Sequence, residues 1–124
     1  MKKQIRVGNV GYNGQEPKGG ITYKVVAGAE KGDIVGPTAN PGEVERPAAG
    51  KPFVGELVTL ERDGVGSVHR GEVTIARRTG AITPGFTELA TDGTGGVQAA
   101  ASAGTGTRCH VIATDADSVA FYIL

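Results

Sequence analysis

Gly32-Asp33-Ile34-Val35-Gly36-Pro37, continuing through Gly42 to Val44, has an echo further along the chain in Gly85-Phe86-Thr87-Glu88-Leu89, continuing through Gly95 to Val97. Both stretches run twelve positions from the first Gly to the Val, and each has an alanine three or four residues ahead, Ala29 and Ala81. Each leads into an Ala-rich step, Ala48-Ala49 in one and Ala99-Ala100-Ala101 in the other. Later, Asp63-Gly64-Val65-Gly66-Ser67-Val68 resembles Asp115-Ala116-Asp117-Ser118-Val119. The separation is 51 to 53 residues throughout. A repeat of this length marks a supersecondary unit that cannot bury its apolar face alone. The chain therefore reads as two copies of one β-unit, each of about four short strands.

Working outward, the local signals are those of strands and turns. Ile21-Thr22-Tyr23-Lys24-Val25-Val26 is β-branched and aromatic with glycine on both sides, and Asp33-Ile34-Val35 is a short strand closed by Gly36-Pro37. A long Pro/Gly loop runs from Thr38 to Pro52, with Val44 to Arg46 a candidate brief pairing inside it. Phe53 to Leu60 suits a strand or one short helix, and Asp63-Gly64 is a turn. Ser67 to Ala76 alternates, with Val68, Val73 and Ile75 as its apolar set. Gly80 to Gly85 and Gly93 to Gly96 are turn regions, the second leading into Val97-Gln98-Ala99. Cys109 to Thr114 and Ser118 to Leu124 are the last strands, joined through Asp115-Ala116-Asp117. Many short strands with frequent turns predict an all-β fold, a small barrel or sandwich. Residues 1–20, dense in Gly, Asn and Pro, read as an extended arm with little core of its own, which orders on docking. Residues 21–124 read as a single β-rich body.

Composition says what such a body lacks. The 124 residues include 21 Gly, three Phe, three Tyr and no Trp, so Ala, Val and Thr supply most of the side-chain volume. Burying one large apolar side chain is worth about 1.5–3 kcal/mol, and this chain has few to bury. Such a core gains from packing against other subunits or a partner. Formal net charge is zero, yet residues 1–24 carry Lys2, Lys3, Arg6, Lys18 and Lys24 against Glu16 alone. A basic arm on an acidic body predicts that the arm touches an acidic surface. One cysteine, Cys109, allows no intrachain disulfide. No leader-like or membrane-length apolar run is visible, so the chain reads as made in a cytoplasm, with no membrane partner.

The residues that usually carry chemistry do not converge. His110 directly follows Cys109, so on a strand the two point to opposite faces. Together with His69 they fall short of four ligands for a structural zinc. A Cys109–His69 nucleophilic pair has no surrounding signature, and a pocket joining those two to a carboxylate would be needed to revive an enzyme. Asp115-Ala116-Asp117 opens like a calcium loop but lacks the glycine and glutamate that should follow. The glycine runs lack a following Gly-Lys-Ser/Thr, and Arg77-Arg78 has no aromatic platform beside it for nucleic acid. The glutamate pairs Glu43/Glu45 and Glu56/Glu72 lack an aromatic sugar platform. The expectation is no catalytic residues, no metal, no cofactor and no nucleic acid: a docking module rather than an enzyme.

Lys31-Gly32-Asp33-Ile34-Val35, then Pro47-Ala48-Ala49-Gly50-Lys51-Pro52-Phe53-Val54-Gly55, then Gly71-Glu72-Val73, resembles the capsid decoration (head cement) proteins of tailed bacteriophages. So does the second pass, Ala81-Ile82-Thr83-Pro84-Gly85 with Thr91-Asp92-Gly93-Thr94-Gly95-Gly96-Val97. The second pass departs at Phe86, which follows Gly85 where Asp33 follows Gly32. The likeness covers about residues 25–124. It implies a tulip-like barrel or a jelly roll, with the duplicated unit favouring the barrel. It also implies a virion protein on the outer surface of the capsid that binds the major capsid protein and stabilises the expanded head. Homo-oligomers are implied too, a trimer before a dimer. On this reading Lys2, Lys3, Ile5, Arg6, Val7, Val10 and Tyr12 form the capsid-docking arm. Val119, Phe121, Tyr122, Ile123 and Leu124 pack in the core or between subunits. The rival expectation is a β-rich carbohydrate- or ligand-binding module of a fibre, which needs an exposed aromatic cluster.

Overall fold

Alternating β-branched residues punctuated by glycine produce twelve strands in the computed structural model, which describes residues 5–12, 20–70 and 72–124. Strands β1 (Ile5–Val7) and β2 (Val10–Tyr12) pair antiparallel as a hairpin. Its two-residue loop puts Gly8 first at a φ of 60°, as a type II′ turn requires. The first repeat supplies β3 (Gly20–Val25), β4 (Ile34–Pro37), β5 (Glu43–Glu45), β6 (Gly55–Leu60) and β7 (Val65–His69). The second supplies β8 (Thr74–Thr79), β9 (Gly85–Thr91), β10 (Val97–Ala99), β11 (Thr107–Thr114) and β12 (Ser118–Ile123). No helix occurs among the described residues, and Phe53 to Leu60 resolves to a strand from Gly55.

The fold is all-β and built from two similar units, as the repeat requires, and each unit closes into its own five-stranded barrel. The circular orders β3-β5-β4-β6-β7 and β8-β10-β9-β11-β12 correspond strand for strand. Each contains one parallel pair, and Val25 beside Val44 becomes Arg78 beside Val97, both members shifted by 53 positions (25 to 78, 44 to 97). Each also carries a register shift at the same place, after Leu57 opposite Val68 and after Val111 opposite Phe121. The unit has five strands rather than about four. The β4 and β9 hairpins each hold one more short strand, β5 and β10, than three-residue apolar runs declare.

The two barrels are not independent. Val35, Val44, Leu57 and Val68 fill the first. Leu89, Val97, Cys109, Val111, Val119 and Phe121 fill the second, and Ile34 and Phe53 of the first repeat belong to that same cluster. Successive residues of a strand face opposite ways, so Val35 serves its own barrel while Ile34 serves the neighbour. Phe53 meets Phe121 edge-on, with ring centroids 5.8 Å apart. Hydrogen bonds seal the junction. The Ile34 N–H donates to the Gly95 carbonyl (2.8 Å), the Gly50 N–H donates to the Thr91 carbonyl, and the Thr91 N–H donates to the Lys51 carbonyl. The Thr107 hydroxyl accepts from the Phe53 N–H (2.8 Å) and donates to the Phe53 carbonyl (2.9 Å). Asp33, buried at this seam, takes both arms of the Arg46 guanidinium, at 2.9 and 3.1 Å. Gly95 sits opposite with φ 93°, where a Cβ would collide with the Asp33 carboxylate.

One reversal concerns Ser67 to Ala76. It is two strands with the inter-barrel link Arg70–Val73 between them, and on β8 the inward residues are Thr74 and Ala76. Val73 and Ile75 face out, 57% and 70% exposed. A five-stranded barrel already holding Phe121 and Leu89 has room on that wall only for small side chains, so the larger apolar residues are turned outward.

Because Phe53 belongs to the core of the second barrel while lying in the first repeat, the two barrels unfold together. Phe53→Ala is expected to destabilise the whole chain by about 3–5 kcal/mol. Urea unfolding followed by circular dichroism checks this; a loss below about 1 kcal/mol, or two separate transitions in the wild type, contradicts the shared core.

Candidate binding surface

The register places three rings side by side on the outer face of the second barrel. Phe86 on β9 lies opposite His110 on β11, which lies opposite Tyr122 on β12. Cys109, Val111 and Phe121 point inward, so their neighbours point out. The Phe86 and His110 rings are 5.0 Å apart at 40°, and the His110 and Tyr122 rings 5.1 Å apart at 72°. His110 Nδ1 and the Tyr122 hydroxyl are 2.9 Å apart, which fixes the His ring edge-on to the tyrosine. Phe86 is 73% exposed. Ala120, two residues from Tyr122, pairs with Ile75, and Ile112 on β11 is also exposed, so the rings continue into an aliphatic patch. An exposed apolar area of this kind marks a surface that meets something. The alternation around Cys109 and His110 contains the signal for it, because reading the outward parity of β9, β11 and β12 together would have found the row.

The other sequence candidates lie as follows. Lys2 and Lys3 fall outside the described residues, as does the Tyr12 side chain, although its backbone closes β2. Ile5 is 70% exposed, Arg6 is exposed and Val7 is half-buried. Val10 is buried, and the turn at Gly8 lies against the Lys24 side chain. Val119 and Phe121 are core, Ile123 packs on the core edge, Tyr122 is in the aromatic row and Leu124 is exposed. The carboxylate pairs do not assemble into a site. Glu43 is engaged by Asn40 and Thr38, Glu56 lies beside His69 and Glu72, and no three His, Cys, Asp or Glu residues cluster for a metal among the described residues.

Cys109 is fully buried, and burial pushes its thiol up to about 12. It donates weakly to the Thr107 carbonyl at 3.4 Å. A thiol held protonated is no nucleophile, and His110 faces the other side of the sheet. Iodoacetamide at pH 8 is expected to leave the folded chain unlabelled and to label it once urea is added, as read by mass spectrometry. Fast labelling in the folded state contradicts the burial.

The acidic residues instead organise turns. Asp92 is partly buried, which raises its pKa. Bonds from the Thr94 N–H (2.8 Å) and hydroxyl (2.8 Å), the Thr79 hydroxyl (2.9 Å) and the Gly96 N–H (3.0 Å) outweigh this and bring it below the usual range. Glu88 is lowered by the Gly104 and Gly106 N–H groups, which clip the β10–β11 loop to β9. Asp115 is lowered by the Asp117 and Ser118 N–H groups in the β11–β12 turn. That is a turn, not a metal loop. Glu56 runs the other way, raised by burial first and by Glu72, with His69 opposing. A carboxylate whose pKa is lower folded than unfolded contributes stability above the unfolded value, lost as pH falls through the folded one. The unfolding temperature is therefore expected to hold from about pH 7 to 5 and to fall below about pH 4. Asp92→Asn is expected to flatten that acid limb, and differential scanning fluorimetry against pH checks it. An unchanged limb contradicts the Asp92 assignment.

Between the barrels a cleft of about 270 Å³ is lined by Ile21, Tyr23, Phe53, Ile123 and the side chains of Arg70 and Arg108. Tyr23 is held above its ordinary value by burial there, with Arg70 opposing. No protein-family model matches the chain, and no curated protein or solved structure does.

Proposed function

We propose that the protein is a capsid decoration protein, docking on the outer surface of an expanded phage head as a homo-oligomer and stabilising the shell through contacts with the major capsid protein. The observation that carries this reading is the β1–β2 hairpin. Among the described residues it pairs with neither barrel, and Ile5 is 70% exposed at its tip-distal end. The hairpin lies against β3 with Val10 buried, yet as a two-stranded sheet it keeps its edges open. Strand addition to a partner's sheet edge would satisfy its open main-chain groups, and the positive charge of Lys2, Lys3 and Arg6 would face an acidic partner. Many copies on one shell add weak contacts into firm attachment. The Gly/Ala/Val rhythm of residues 25–124 supports the same reading.

A second reading, a carbohydrate- or ligand-binding module, draws on the Phe86–His110–Tyr122 row. Its rings are tilted by 40° and 72° to their neighbours, so they present one free face, that of Phe86, rather than a flat stacking platform. The geometry suits interdigitating side chains better than a planar sugar face.

The full chain is expected to co-pellet at a fixed ratio with expanded empty heads from the same source and to raise their melting temperature. The exposed double change Ile5→Asp with Arg6→Glu is expected to weaken that binding at least tenfold while leaving the barrels folded. Heads that ignore the wild-type chain sink the decoration reading, and undiminished binding by the double variant sinks the role of the hairpin.

A further inference from the structure

The internal repeat itself says what covers the aromatic row. The rows Ile34–Glu56–His69 and Phe86–His110–Tyr122 are the same row of the same unit. Each sits one step before the matching register shift, after Leu57 in one barrel and after Val111 in the other. In the first barrel the β4 member of that row, Ile34, is 1% exposed because the second barrel packs on it. In the second barrel the β9 member, Phe86, is 73% exposed. One face of the unit is thus used inside the chain and left bare at its end.

On the receiving side, Ile34 packs into the core cluster of the second barrel beside Phe53, Leu89 and Val97, and the Gly95 carbonyl of the β9–β10 loop accepts its N–H. The corresponding loop of the first barrel is β4–β5, where the Gly42 carbonyl accepts the Lys24 N–H. Beside that loop a concavity of about 430 Å³ opens between Pro37, Thr38 and Ala39 on one side and Pro47, Ala48 and Pro52 on the other. Proline and alanine make up most of its walls, an apolar lining suited to an aromatic ring, with Glu45 and Lys51 also on them.

We infer that a second copy of this chain docks head to tail here, with the Phe86–His110–Tyr122 face of one copy seated in the Pro37–Pro52 concavity of the next. The contact would use between chains the counterpart of the face that Ile34 presents within one. Such a contact is heterologous: it presents different surfaces on the two partners, and it closes into a ring or grows into a filament according to its rotation. A ring of three fits the trimer in the reading above. The inference deepens the oligomeric part of that reading and needs no capsid, so it is tested on the purified chain alone and its failure leaves the head-binding experiment untouched.

Light scattering after size exclusion is expected to show the wild-type chain at a defined multiple of 12.6 kDa. Phe86→Asp alters only the exposed face and Ala39→Arg only the exposed lip of the concavity; each alone is expected to be monomeric. Phe86→Ser serves as a milder second variant, and circular dichroism checks that all three stay folded. Mixed one to one, Phe86→Asp and Ala39→Arg are expected to form a dimer and nothing larger, because the pair retains one intact face and one intact concavity. A wild type monomeric at every concentration overturns the inference, as do folded Phe86 variants that keep the wild-type mass. Ala39→Arg at the wild-type mass overturns it by showing that the concavity is not the seat. A mixture that stays monomeric overturns the head-to-tail geometry.

Discussion

The seam where Ile34 and Phe53 enter the second barrel is the contact on which the rest depends. A five-stranded barrel made from about fifty residues encloses little volume, and chains of that size are marginal alone. The first barrel is filled by three valines, one leucine and an alanine. The second has a fuller set of its own, including Ile82, Leu89 and Phe121, and takes in Ile34 and Phe53 besides. Thr91 and Thr107 satisfy main-chain groups where the Ala48–Phe53 segment crosses, so Phe53 is buried there without an orphaned donor. Take the seam away and the cleft with Arg70 and Arg108 loses a wall, and the two outer faces lose their fixed relation.

That seam explains features that otherwise look unrelated. The Pro/Gly stretch between Thr38 and Pro52 is a long connection for such a small barrel, and long connections are usually functional or anchored. Here Gly50 and Lys51 are tied to Thr91, and Phe53 is planted in the neighbour. Asp33 is buried near the same place and fully engaged by Arg46 and the Glu30 N–H. A buried carboxylate held by a bidentate guanidinium sets orientation more than it adds stability, and orientation between two barrels is what this position controls.

Much of the architecture was legible in the sequence because it was written twice. The spacing of Val44 and Val97 and of Asp63 and Asp115 located equivalent places in the two barrels, whereas Gly32 lies two residues before β4 and Gly85 opens β9, so register matches Phe86 to Ile34 rather than to Asp33. What periodicity could not show was closure. A three-residue strand such as Glu43–Glu45 leaves no alternation to read, and its parallel pairing with β3 depends on contacts eighteen or more residues apart. Ser67 to Ala76, read as one alternating stretch, is two strands, and its apolar members Val73 and Ile75 face outward while Thr74 and Ala76 face the core. The arm of residues 1–20 was read from its glycines as extended. Within it, the described residues 5–12 form a hairpin turned at Gly8 and Asn9.

The aromatic row was missed for a related reason. Phe86, His110 and Tyr122 lie 24 and 12 positions apart, and no local pattern joins them. Only register does, through β11. Comparing the copies adds the decisive contrast. The first barrel has Glu56 and His69 beside Ile34, so its one apolar member is covered by the neighbour and the rest is polar enough to meet water. The second has aromatic groups at all three positions and no neighbour within the chain. Leaving Phe86 and Ile75 in solvent adds nothing to the stability of a lone chain and invites association. The two copies share a backbone but not a surface, and the surface differs where one copy has a partner inside the chain and the other must find it outside.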